Sequence, residues 1–299
     1  MDKEVSWAIE LNQLFENKNI VKIREKLFHI SDVLVYLHEV LAEQKINFED
    51  KDIYSEQLII KFYLQNLSLI DLSNGISIKS NFFSDVNSTI KFLDLSSIIT
   101  IVRSLYETLL MYQHLYINSD NDNVQKLRFE SWIMSSMMLR SKVYFQTHNI
   151  FSDNRKDELN SINILKESIK NNPEFINLTL KQQNQLLENG SGKLFKSWDK
   201  IFDDSKFNRD GVLANIYYMA SIYAHSEGIF ALQLKQSKHL MEDENMKESN
   251  YLMLFYSYLM TNIMIKNISN KFPLIKERFE KLDEKIKFEI DYIYQLCFK

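Results

Sequence analysis

Arg103 and Glu107 stand four residues apart in a stretch otherwise almost free of charge. Residues at that spacing share a helical face, so a guanidinium and a carboxylate there can pair. An arginine that keeps part of its donor fork unused can also take up an anion or a carboxylate. At about 100° per residue, Arg103, Glu107, Leu110 and His114 project within a sector roughly 60° wide. Ser96, Thr100, Ser104 and Thr108 flank that sector, and Leu95, Ile98, Val102, Leu105, Leu109 and Tyr116 lie opposite. A second segment sets Ala214, Tyr217, Tyr218, Ser221, Ala224, His225 and Gly228 on one side of a helix. Small side chains let another backbone come close, and buried tyrosine and histidine tips then need hydrogen-bond partners. Spacing therefore nominates Arg103, Glu107, His114, Tyr217, Ser221 and His225 as a polar site where two helices meet. The same groups also fit a purely structural role, as an ion pair that fixes how helices dock and a hydrogen-bonded core histidine.

Arg24 and His29 form a second pair, and their R-x(4–6)-H spacing resembles that of the HEPN ribonucleases. The resemblance implies His29 as general acid/base and Arg24 as stabiliser of the phosphorane charge, or Arg103 and His225 in those roles. Glu25 stands where those ribonucleases carry a small polar residue, and so short a spacing arises readily by chance. Other chemistries leave no trace. The chain has no phosphate-binding G-x-x-x-x-G-K-[ST] loop, no G-x-G-x-x-G, no H-E-x-x-H and no G-x-S-x-G elbow. None of its six histidines follows a glutamate by three residues, as a di-iron bundle would require. No metal or cofactor is expected, and the balance of motifs leans away from an enzyme.

The elements that must position these groups are helices. Only 5 Gly and 2 Pro occur in 299 residues, where average usage is roughly 12 %. Many tight turns need the positive φ of glycine or the fixed φ of proline, so a β-sandwich or barrel is excluded. With 45 % hydrophobic and 25 % charged residues the composition is that of a globular chain. A formal net charge of −4 supplies no global field for phosphate backbones, so nucleic acid is a disfavoured partner. The single cysteine, Cys297, excludes an intrachain disulfide framework. The first residues lack the basic and then apolar run of a signal peptide, and the longest charge-free stretch, Tyr251 to Ile265, is too short for a membrane span. A cytoplasmic setting without a membrane partner is expected.

Charge is unevenly spread. From Phe92 to Ser119 the only acidic or basic side chains are Asp94, Arg103 and Glu107, and from Gly211 to Leu234 only Glu227. Ser131 to Leu139 and Tyr251 to Ile265 have none. A helix with a free solvent face normally carries Lys and Glu on it, so these four segments are expected to form a buried, charge-poor centre. The fold class expected is all-α, a single multi-helix bundle of about ten helices over residues 1–299. Residues 152–210, rich in Lys, Asn, Asp and Glu, read as a more exposed helical excursion. Asn172-Pro173 and Pro273 mark helix starts, and Gly75, Gly190 and Asp210-Gly211 mark breaks. Helices are expected near 84–118, 173–189, 211–240 and 273–297, among others.

Arg103-Ser-Leu-Tyr-Glu107, a helix with Arg128 and Trp132, then Trp198, and Tyr217-x-x-x-Ser221-x-x-x-His225 together resemble a bacterial family of all-α proteins, a domain of unknown function. The likeness covers residues 80–240 and leaves 1–79 unassigned. It implies a bacterial cytoplasmic helical protein and carries no activity over. Three readings stay open: a ligand-sensing or protein-interaction module that takes a small anionic ligand or a protein partner, a HEPN-like metal-independent ribonuclease, and a structural cluster with function on an outer surface.

Overall fold

The computed structural model describes residues 3–43, 50–77, 91–119, 121–144, 152–224, 235 and 240–298. The protein is all-α, 81 % helical, with 12 α-helices and one two-stranded ribbon among the described residues. They are α1 (Lys3–Glu16), α2 (Ile20–Glu43), α3 (Asp50–Leu72), β1 (Ile76–Ser77), β2 (Lys91–Phe92), α4 (Leu95–Tyr112), α5 (Asp122–Tyr144), α6 (Ser152–Lys170), α7 (Leu180–Asn189), α8 (Trp198–Asp204), α9 (Ile216–Ala224), α10 (Glu244–Lys271), α11 (Pro273–Glu280) and α12 (Glu284–Phe298). None of these helices is long and apolar enough to cross a membrane.

The fold gathers into two compact units, the first Met1–Leu109 with Lys206–Lys299, the second Leu110–Ser205. The chain passes between them twice, within α4 between Leu109 and Leu110 and just after α8 between Ser205 and Lys206. Most of the excursion expected at 152–210 falls in the second unit, which also takes in α5.

In the first unit α10 is the central helix, packed by α2, α3, α11 and α12. Asp243 caps it, its Oδ1 accepting from the backbone N–H of Asn245 at 3.0 Å and of Met246 at 3.2 Å. Met253, Leu254, Leu259, Met260, Ile263 and Met264 are buried around its circumference, the pattern of a helix enclosed on all sides. Some of its polar residues are met by neighbours, whereas neither side-chain polar atom of Asn267 has a hydrogen-bond partner among the described residues. Ser257 donates to Asn66 Oδ1 at 2.7 Å, and Asn66 Nδ2 donates to Ser31 Oγ at 3.0 Å and Thr261 Oγ1 at 2.9 Å. Such closed networks satisfy polar groups that could not otherwise be desolvated cheaply. Cys297 is buried on α12, and its carbonyl accepts from Asn208 N at 2.9 Å.

Two expectations are corrected here. The helix expected from residue 84 starts at Leu95, because Lys91 and Phe92 pair antiparallel with Ser77 and Ile76 and Asp94 then caps α4 through Ser97 N at 3.1 Å. The turn from α3 into β1 needs Gly75, which sits at φ +74°, where an added Cβ would lie 2.7 Å from Met241 Sδ. The 211–240 segment is not wholly buried. Within 211–224, the described part, Val212 is 41 % and Tyr218 74 % exposed, so uncharged side chains face solvent there.

The second unit packs α5, α6 and α7 around Leu127, Met134, Ile162, Ile169, Phe175 and Leu186. Asn172 starts a 3₁₀ turn, Pro173–Asn177, by accepting from Glu174 N at 2.9 Å. The expected 173–189 helix then breaks, since Thr179 and Gln182 form a reciprocal capping box that begins α7. The 273–297 helix divides likewise, with Asp283 accepting from Lys285 N at 2.8 Å ahead of α12.

Candidate functional site

Arg103, Glu107 and Tyr217 come together in the first unit. Arg103 Nε donates to Glu107 Oε1 at 3.1 Å and Nη2 donates to the Tyr217 hydroxyl at 3.3 Å. The guanidinium carbon also lies 5.0 Å from the Tyr217 ring centroid, a cation–π approach. The pair is partly open to solvent, with side chains 18 % and 30 % exposed. Ser221 does not face this group as a donor, because its hydroxyl donates back to Tyr217 O in its own helix at 2.7 Å. His225 lies outside the described residues. The cluster ties α4 to α9 through charge, hydrogen bond and ring face at once.

His114 makes no hydrogen bond with this group. It lies in a π-helical turn, Gln113–Ile117, of the second unit. The i→i+5 pattern there shifts side-chain direction away from the 100° progression of α4. The ring is 2 % exposed, and neither nitrogen has a hydrogen-bond partner among the described residues. Burial first, then the charges of Arg128 and Lys196, push its pKa down to about 3, with Asp204 opposing. This imidazole is neutral at any physiological pH.

Arg24 and His29 also separate. Arg24 Nε donates to Ser73 Oγ at 2.8 Å and Nη2 to Ser73 O at 2.9 Å, so its fork is committed to the end of α3. Burial lowers its pKa. Five residues on one helix are about 140° apart, and His29 instead lines a cavity on another side of α2. In a single chain the two do not converge.

That cavity, of about 670 Å³, is a feature sequence reasoning missed. Its walls are α1, α2 and α12, drawn from residues 7–29 and 285–289. Trp7 and Phe288 provide an aromatic wall, their ring centroids 5.6 Å apart. Glu289, only 5 % exposed, also lines the cavity; its Oε1 accepts from the Tyr258 hydroxyl at 2.6 Å and its Oε2 from Lys26 Nζ. Burial and the adjacent Glu289 charge hold the Tyr258 phenol well above its usual range, so it stays a donor. Lys285 pairs with Glu10 across the cavity lining. Lys22, Glu25 and His29 follow one another at helical spacing along the α2 wall. A volume in the range of small-molecule sites, an aromatic wall and a few charged groups are what binding of an amphipathic ligand requires. Among the described residues no group of three or more His, Cys, Asp or Glu is placed to hold a metal ion.

No family model matches the chain, and neither the curated proteins nor the solved structures contain a match.

Proposed function

We propose that the chain is a non-catalytic binding module of the bacterial cytoplasm, a ligand sensor or interaction protein, whose ligand seat is the α1–α2–α12 cavity. The observation that carries the reading is the cavity itself, about 670 Å³ with an aromatic pair and a buried, doubly hydrogen-bonded carboxylate in its lining. In this reading Arg103, Glu107 and Tyr217 are a tie between helices, because the guanidinium is already engaged by both partners.

A thermal-shift screen of small amphipathic compounds tests it. Binding to the folded form alone raises stability by about 2.7 kcal/mol at a hundredfold excess over Kd. Ligands that raise the midpoint of the parent and lose that effect in Trp7→Ala support the reading. Hits indifferent to Trp7→Ala, or a screen without hits, overturn it.

A further inference from the structure

The cavity lining holds three lysines, Lys22, Lys26 and Lys285, and three glutamates, Glu10, Glu25 and Glu289. The formal charges balance, so the lining gives no field that would gather a multiply charged anion. Four of the six are already spent on one another: Lys26 holds Glu289, and Lys285 holds Glu10. Among the described residues the side chains of Lys22 and Glu25 make neither a hydrogen bond nor an ion pair. They stand three residues apart on α2, neighbours on the helix surface about 4.5 Å apart along its axis. One uncommitted cation and one uncommitted anion thus sit side by side, in the same lining as the Trp7 and Phe288 rings.

Resting on the reading that this cavity is a ligand seat, we infer that its ligand is a zwitterion with a large apolar body, of which a free aromatic or branched α-amino acid is the simplest form. The two charges of such a molecule hang from one carbon and must be met by opposite charges one helical turn apart. Lys22 takes the carboxylate, Glu25 takes the ammonium, and the side chain lies against Trp7 and Phe288. A phosphate compound would leave Glu25 repelling it, and a purely apolar ligand would leave both charges without a role.

Calorimetric titration of the full chain at pH 6, where the amine of the amide probe stays protonated, with four probes tests this: L-phenylalanine, N-acetyl-L-phenylalanine, L-phenylalaninamide and benzyl alcohol. L-phenylalanine is expected to bind tightest, and blocking either charge to weaken binding about tenfold, the worth of one charge-assisted hydrogen bond. Lys22→Met is expected to erase the difference between the acid and the amide, and Glu25→Gln that between the free and acetylated amine. Lys22→Arg is expected to retain the preference. Both residues are exposed, so each variant is expected to melt with the parent. Equal or tighter binding of the blocked probes or of benzyl alcohol, still abolished by Trp7→Ala, overturns the zwitterion and leaves the cavity reading standing. L-phenylalanine binding that survives Trp7→Ala overturns both. If none of the four probes binds, the zwitterion fails and the amphiphile screen alone judges the cavity.

Discussion

The cavity of the first unit and the π turn of the second each bury one ionisable side chain, and they treat it in opposite ways. Glu289, 5 % exposed, is wrapped by a lysine and a phenol, so its oxygens keep their partners next to a space large enough for a ligand. His114, 2 % exposed, has no ring hydrogen-bond partner among the described residues, and burial first, then the charges of Arg128 and Lys196, disfavour its protonation. Burial alone therefore does not mark a site. What separates the two is whether partners meet the buried polar atoms: both Glu289 oxygens have one, and among the described residues neither His114 nitrogen does.

The sharpest way to break the contrast is Glu289→Ala. It strands Lys26 and leaves the Tyr258 hydroxyl without its acceptor in a buried position, at an expected cost of about 3–5 kcal/mol in chemical denaturation. A loss below 1 kcal/mol would show that the wrapping contributes little.

The second test uses acid. His114 has a folded pKa of about 3 against 6.5 unfolded, so between those values the unfolded chain binds a proton that the folded chain refuses. Stability from this residue is therefore complete above pH 6.5 and falls as pH drops toward 3. At 1.36 kcal/mol per unit, about 3 kcal/mol is lost between pH 7 and pH 4. His114→Phe is expected to remove that part of the acid sensitivity while the carboxylates titrate as before. Parallel pH profiles for parent and variant would sink the account.

Arg103→Ala gives the smallest effect. Its side chain is 18 % exposed and its partner's 30 %, so the pair is neither wrapped like Glu289 nor sealed like His114. Loss of the pair and of the ring contact is expected to cost about 1–2 kcal/mol, and less at high salt. A loss as large as that of Glu289→Ala would move this cluster into the buried class.

Much of the fold was legible because it is written in local punctuation. Asn172 before Pro173 is the cap it promised, Gly190 ends α7 at φ +76°, and Pro273 opens α11. The lysine-free run of α4 and the charge-free run of α10 do mark buried helices, with Ile98, Val102, Leu105 and Leu109 inside along α4. The same argument overreached at α9, since a tyrosine such as Tyr218 can face water without any charge. Thr179-x-x-Gln182 was a readable capping box that the helical pattern around it obscured. Within the candidate site, the meeting of Arg103 with Tyr217 followed from two charge-poor helices needing partners for their polar tips. The cavity was not legible. Its walls come from opposite ends of the chain, and no spacing along a single helix encodes a space shared by three.

The lone thiol gives α12 a built-in chemical clock. Cys297 is 5 % exposed, and burial raises its pKa to about 12, so in the native molecule it offers almost no thiolate to an alkylating reagent. Reaction at this sulfur requires the last turn of α12 to open. Its rate thus times that local opening, with no label introduced elsewhere.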